Sequence, residues 1–437
     1  MTVIALDDTD SRERGMCTTY LATRLAETLE SEGETVHRRL LIRLNPAVEH
    51  KTRGNATLAL HTSCPPERAL EFACDAIEHW SEFEDDRTSP GVVVAPGDPT
   101  AVPSSVERFA RDALRDLLTL DDALALVDDF DYAHRGWDGG RGRIGALAAV
   151  GAWAAFDDWT YEHISYRAFD RCGTPRDVDV DSLFAAADRG YPTVWDTVDR
   201  VEGEAVCVPN APGPILHGIR GDDPDACRDV ASRIESEPVD RRATFLTNQG
   251  TDAHLGAGTI GSLRDGRSYR VSGVVVDAPE TRRGGHVFVG LGADECSEAE
   301  RPTTAESASV EETLDCVAFE PTKRFRDRVR ALRTGDRLTV CGEMSRGTLK
   351  LEKFAVRSLV RAEPATPTCP SCDRTMESAG RGQGYRCRDC GTASERVRKR
   401  IDRDLERGWY EVPPCARRHV AKPLVRGGFD APTHSER

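Results

Sequence analysis

Lysine is nearly missing from this chain: there are six in 437 residues, so arginine supplies almost all of the positive charge. That charge is outweighed, with 74 acidic against 59 basic side chains and a net charge of −15. Such a surface repels nucleic acid at low ionic strength and argues against an RNA partner there. At 1 M salt the Debye length shrinks to ~3 Å and the repulsion is muted, so an acidic, lysine-poor chain also fits adaptation to high salt. Long apolar runs are missing too. None approaches the ~20 residues of a membrane span, and the first residues enter a strand with no signal-peptide pattern. The expectation is a soluble, cytoplasmic protein with no membrane partner and no obligate protein partner. Fourteen cysteines are present. In a chain of that kind they point to metal binding or burial rather than disulfides.

At ~150 residues per domain the length implies about three domains. The charge is unevenly spread: residues 365–437 carry 15 basic and 10 acidic side chains, whereas the rest has a net charge of −20. The basic tail is the better place for a polyanion.

The chain opens with VIALDDTDSRERGMCTTYL, from Val3 to Leu21. Four apolar residues read as a buried strand, and Asp7, Asp8 and Asp10 follow at its end. Carboxylates there suit Mg²⁺, a hard cation that prefers oxygen and often bridges to phosphate. The helix that opens near Met16–Thr19 offers free N–H groups to an anion. A turn that merely caps the helix fits the same letters. Strands at 37–44, 57–64 and 91–96 and a helix at 66–80 then give the β-α-β-β-α-β order of a split βαβ unit. Between the second and third strands Lys51, Arg53 and Asn55 lie in a polar loop, placed for phosphate or base contact or simply solvated. Residues 100–157 read as mostly helical, with a strand-like run ALALVDDF. Gly139, Gly140, Arg141 and Gly142 precede a small-residue helix at 144–153. Such a turn can cradle phosphate through its amides, or only allow close packing, and it matches neither phosphate-loop signature.

A second α/β module follows, with strands at 160–170, 205–210 (AVCVPN) and 214–220, a helix at 226–236 and a strand running into TNQGTDAH. That loop sets Asn248, Gln249, Asp252 and His254 where they could read a base or a small polar ligand, or form a turn network. From about 266 three short strands, a helix and two more strands have the order of an OB-fold. The acidic, Ser-rich stretch between Gly292 and Glu311 reads as a loop. Cys369-x₂-Cys372 and Cys387-x₂-Cys390 have the spacing of a closed, structural Zn²⁺ site. Arg386 lies beside it, and Arg417, Arg418, His419 and Lys422 form a basic cluster near Trp409 and Tyr410, suited to stacking and phosphate contact. The same tail could instead fold back on the body.

Taken in order, DDTDS, GMCTTYL, RLNPAVEHKTRGNA, GGRGRIGALAAVGA, TNQGTDAHL and the paired CxxC motifs resemble the archaeal tRNA 2-agmatinylcytidine synthetase family over essentially the whole chain. The resemblance implies an α+β multidomain fold: a kinase-like α/β domain (1–157), a ferredoxin-like domain (158–264), an OB-fold barrel (265–363), and a zinc ribbon with a basic tail (364–437). It implies an ATP-dependent ligase acting on the minor isoleucine tRNA with a CAU anticodon. ATP would phosphorylate the C2 oxygen of the wobble cytidine, and the amine of agmatine would displace that phosphate. Phosphorylation makes a poor leaving group a good one, and a cation steadies the moving phosphoryl charge.

On this resemblance Asp7 and Asp8 hold Mg²⁺, Asp10 assists, and Thr18 is the autophosphorylated threonine at a helix start. Gly15, Cys17, Lys51, Arg53, Gly140, Arg141 and Gly142 contact ATP or phosphate. Asn55, Asn248, Gln249 and Asp252 contact the base or agmatine, and Arg386 and the tail cluster contact tRNA. The loop Ser11–Arg14 is longer and more charged than the family's usual form, which bears on the reach of Asp10. Two rival readings are a non-catalytic tRNA- or single-strand-binding protein built on the OB-fold and ribbon, and a metal-dependent phosphohydrolase.

Overall fold

The computed structural model describes residues 1–51, 54–293, 312–395, 397–418 and 420–437. Arg53, His419 and the acidic stretch from residue 294 to 311 lie outside the described residues.

The first half of the chain builds β1 (Thr2–Asp7), α1 (Thr18–Ser31), β2 (Val36–Arg43), β3 (Ala56–Thr62), α2 (Pro66–Trp80), β4 (Gly91–Pro96), α3 (Ser104–Ala113), α4 (Leu120–Asp129), β5 (Ala133–Gly136) and α5 (Arg143–Ala155). Strands β4-β1-β3-β2 lie side by side and antiparallel, with β5 at the edge. Alternation along a strand sends successive side chains to opposite faces. Ile4 and Leu6 therefore pack with Leu21, Leu25 and Ile77 of α1 and α2, while Val3 and Ala5 pack with Phe109, Val127 and Ala149 of α3, α4 and α5. With both faces covered, the strands read as continuous apolar runs. The expected strand ALALVDDF is instead α4. Thr119 caps it in a reciprocal box with Asp122, and Ala123 and Val127, four apart, give it a buried face.

The second half repeats the pattern with β6 (Thr160–Arg167), α6 (Val180–Gly190), β7 (Val194–Trp195), β8 (Ile215–Gly221), α7 (Pro224–Ser232) and β9 (Val239–Thr247). Its order is β9-β6-β8-β7, again fourth-first-third-second. The two halves join where β2 and β9 pair in parallel, Leu40 opposite Leu246 and Leu41 opposite Thr247, giving one sheet of nine strands. AVCVPN forms no strand: Val194–Trp195 takes the place beside β8, and Pro209 has no N–H to give a ladder.

After β10 (Leu255–Gly258) come β11 (Ser268–Thr281), β12 (Val287–Gly292), β13 (Thr313–Ala318), α8 (Phe325–Arg330), β14 (Arg337–Ser345) and β15 (Thr348–Ser358). They close a five-stranded barrel in the order β11-β12-β13-β15-β14-β11, with β13 and β15 parallel. Phe325 of α8 plugs it against Phe354. The zinc ribbon is inserted next. β16 (Ala362–Ala365) pairs at its base with β20 (Val397–Arg400), around the small sheet β17 (Glu377–Ser378), β18 (Tyr385–Arg386) and β19 (Ala393–Ser394). The chain then returns to the barrel, where β21 (Gly408–Glu411) pairs with β15 and β22 (Thr433–His434) with β21. No helix of the described residues is long and apolar enough to cross a membrane.

Candidate functional site

The strand registers bring distant residues to one edge of the large sheet. β1 ends there at Asp7, β2 at Arg43 and β9 at Thr247; β6 begins there, so Glu162 joins them with Arg220 near the end of β8. These ends border a cleft of about 980 Å³. Of the residues expected from the sequence, Asp7, Asp8, Asp10, Cys17, Thr18, Lys51, Asn55, Arg141 and Gly142 line it. The barrel closes one side with Glu343 and Lys350.

Asp7 and Asp8 are adjacent carboxylates on a sharp turn. The Asp8 backbone has φ +59° and donates its N–H to Asp7 Oδ1 at 2.7 Å. Gly145 makes room for Asp7: a Cβ there would lie 1.9 Å from Asp7 Oδ2. Burial, then the neighbouring Asp8 charge, raises the Asp7 carboxyl well above its ordinary range. Burial likewise lifts Asp8 to about 6 against the pull of Arg141, whose Nη2 donates to Asp8 Oδ2 at 2.8 Å and to the Arg87 carbonyl at 2.7 Å. Two acids forced together in this way form a hard oxygen donor set that fits a divalent cation. Asp10 is buried beside them.

The loop returns through Gly15, whose φ of +106° and place against Pro212 O (2.0 Å from a built Cβ) admit no side chain. Gly15 itself does not line the cleft; it sets the turn that delivers Cys17 and Thr18. Thr18 begins α1, is 5% exposed and accepts a hydrogen bond from Thr9 Oγ1 at 3.1 Å. Among the described helices of eight residues or more, only α1 and α5 have neither a capping side chain nor an acid in the first turn, and both start at this cleft. An uncapped helix start favours negative charge. At α5 the turn itself is partly spent: Arg141 N donates to Ser89 Oγ at 2.9 Å, and Gly142 N to the Ser89 carbonyl at 2.8 Å. Gly140, at φ +64°, shapes that turn from behind.

Lys51 is half-buried at the rim, where burial lowers its ammonium against the opposing charge of Glu343. Asn55 lines the cleft and spends its amide on the Asn45 carbonyl at 2.7 Å, which shapes the loop.

Sequence reasoning missed a charged group on the second wall. Arg43 Nη2 and Arg220 Nε both donate to Glu162, at 3.4 and 3.3 Å. Burial works against the Glu162 charge, but Arg220 and Arg43 outweigh it and hold the carboxyl below its ordinary range. The signal was available in RLNPAVEHK, where an arginine ends an apolar strand.

Other expected contacts are placed differently. Asn248 and Gln249 are buried and do not line the cleft; their amides hold Arg43, with Arg43 N donating to Asn248 Oδ1 at 2.8 Å and Arg43 Nε to Gln249 Oε1 at 3.0 Å. Asp252 accepts from the buried Lys353 of the barrel at 2.6 Å. Among the described residues of the tail, the arginines of the expected basic cluster are drawn to internal carboxylates. Arg417, its side chain 4% exposed, is paired with Asp196 and with Glu411 at 2.9 Å, so its charge is spent inside the protein. Arg418 bridges Glu343 and Glu352, and Lys422 lies over Phe429. The tail straps the barrel to the second half of the sheet, because an arginine fork satisfies buried carboxylates well. Arg386 is exposed on the ribbon. The sulfurs of Cys369, Cys372, Cys387 and Cys390 all lie within 4.8 Å of one another, which fits four thiolates around Zn²⁺, whose sulfurs would sit about 3.8 Å apart.

Fold and site together define an α+β protein with a C-terminal zinc ribbon and a carboxylate-lined cleft. Three family models match: the TiaS TCKD domain over residues 3–64, the TiaS FLD domain over 140–254 and the TiaS C-terminal zinc ribbon domain over 366–405. The isoleucine-tRNA 2-agmatinylcytidine synthetase TiaS of Haloquadratum walsbyi is 60% identical, with all of both chains covered. The crystal structure of a TiaS complex with its isoleucine tRNA and ATP superposes with a TM-score of 0.85 at 37% identity, covering 100% of this chain and 99% of that one. A TiaS complex with the same tRNA, AMPCPP and agmatine gives 0.84 at 36% identity with the same coverage. The chain belongs to the TiaS family of isoleucine-tRNA 2-agmatinylcytidine synthetases, as its sequence motifs led us to expect.

Proposed function

We propose that this protein uses ATP to couple agmatine to C2 of the wobble cytidine of the minor isoleucine tRNA, and that the cleft at the end of β1 is where the phosphoryl group moves. One observation carries the placement: adjacent carboxylates Asp7 and Asp8 face the uncapped start of α1 across a single cleft. Asp7 and Asp8 hold Mg²⁺, with Asp10 lining the same cleft. The cation supplies charge stabilisation to the phosphoryl group when bound. The α1 start, with Cys17 and Thr18, seats phosphate, and Thr18 is the phosphoryl acceptor on the protein. Arg141 steadies Asp8; Lys51 contacts phosphates from the rim, Arg53 contacts them too, and Asn55 lies by the base. The wobble base leaves its stack to enter.

The finer architecture belongs to the same reading: a kinase-like part to about residue 157, a ferredoxin-like part to about 264, an OB-fold to about 363, then ribbon and tail. The strand order of the second half and the closing order of the barrel support it. Arg386 and neighbouring ribbon arginines meet the tRNA, and the protein works in the cytoplasm. The test is mass analysis of the wobble nucleoside after incubation of the chain with tRNA transcript, ATP, Mg²⁺ and agmatine at high salt. The expected product carries agmatine on cytidine; unmodified cytidine with tRNA still bound favours a binding protein instead.

A further inference from the structure

Arg43 is held more tightly than a residue at a strand end needs to be. Its backbone N–H donates to Asn248 Oδ1 at 2.8 Å and its carbonyl accepts from Asn248 Nδ2 at 3.0 Å, so one side-chain amide continues the β2–β9 ladder by a further step. His254 Nε2 lies 3.1 Å from the same carbonyl; the partner is an acceptor, so the ring donates from Nε2. The guanidinium is then fixed from two sides, Nε to Gln249 Oε1 at 3.0 Å and Nη2 to Glu162 Oε2 at 3.4 Å. No hydrogen bond among the described residues engages Nη1, and Arg43 lines the cleft. Glu162 also takes Arg220 at 3.3 Å, so two guanidinium groups share one carboxylate and this wall keeps a positive charge. The acidic wall, Asp7 and Asp8, lines the same cleft. A group with oxygens to place between a bound cation and a fixed guanidinium is a phosphoryl group, and arginine's planar fork matches phosphate oxygens.

We propose that Arg43 contacts the transferring phosphoryl group in the cleft that Asp7 and Asp8 also line, and that Asn248, Gln249 and His254 are positioning residues that aim it. This rests on the reading of the cleft as a phosphoryl-transfer site. It also gives the TNQGTDAH loop a role that does not require its buried amides to touch the substrate. Arg43→Lys keeps the charge but loses the fork, and Gln249→Ala frees Nε while leaving the charge in place.

The experiment measures product nucleoside formation, KM for ATP, tRNA affinity by filter binding and thermal unfolding for the unaltered chain, Arg43→Lys, Gln249→Ala and Gln249→Glu. We expect Arg43→Lys to lower kcat by ~10²-fold, the scale of one lost charge-stabilising donor. Gln249→Ala should lower kcat about tenfold and Gln249→Glu should restore most of it, because the acceptor returns. tRNA affinity and unfolding temperature should stay near those of the unaltered chain. Unchanged kcat in Arg43→Lys and Gln249→Ala would overturn the inference. So would losses in kcat that only track losses in unfolding temperature or tRNA affinity, since these mark a purely structural role. An unaltered chain that makes no product removes the phosphoryl-transfer reading itself, and the inference with it.

Discussion

The two halves of the nine-stranded sheet share a strand order and use it in opposite ways. In the first half the chain leaves β1 at Asp7 and reaches α1 with no capping side chain and no acid in its first turn. In the second half the chain leaves β6 at Arg167, which is fully buried against Glu237 at 2.7 Å, and reaches α6 under the cap of Asp179, with α7 capped by Asp223. One junction is left open to a cleft; its counterpart is closed by internal partners. A helix start with no capping side chain and no first-turn acid favours an anion from elsewhere. The difference supports the proposed site at the β1–α1 junction more sharply than the acidic motif alone, since Asp, Ser and Thr also make ordinary caps.

The largest expected effect comes from removing charge at the open junction. Asp8→Asn should lower turnover by about 10³-fold, several kcal/mol of lost charge stabilisation, while tRNA affinity by filter binding stays unchanged. Normal turnover would mean that the open junction is not the reacting one. Next is the tail that straps the second half to the barrel. Arg417→Ala leaves Asp196 and Glu411 buried without their cation and should cost ~3–5 kcal/mol in chemical denaturation; a cost below about 1 kcal/mol would show that the strap is dispensable.

The smallest effects exchange the two kinds of helix start. Cys17→Asp gives α1 the cap it lacks and should stabilise the protein by about 1 kcal/mol while weakening ATP binding. Asp179→Ala should cost about 1 kcal/mol and leave ATP binding alone. Calorimetry of unfolding and of nucleotide binding checks both, and equal effects on nucleotide binding would erase the distinction between the halves.

Much of this was legible in the letters. Pro66–Trp80 and Gly91–Pro96 lie where periodicity and punctuation placed them, and the cysteine spacing located four sulfurs that do come together. Local patterns failed where tertiary partners decide. ALALVDDF has strand-like residues, yet the Thr119 box and the four-residue spacing of Ala123 and Val127 make it a helix. AVCVPN has the right residues for a strand, but its place beside β8 was already filled. The tail arginines read as an open basic patch because a sequence does not show that Asp196, Glu343 and Glu352, distant in the chain, wait for them. Arg43 was passed over for the same reason. Its partners Asn248, Gln249 and Glu162 are more than a hundred residues away and meet it only through the β2–β9 seam.

The central claim is that phosphate is handled where β1 meets α1. Incubating the chain with ATP labelled at its γ-phosphate and Mg²⁺, then locating the label by peptide mass analysis, tests it most directly. The account predicts label on Thr18, lost in Asp8→Asn. Label that is absent from the β1–α1 junction but found elsewhere on the chain would contradict it.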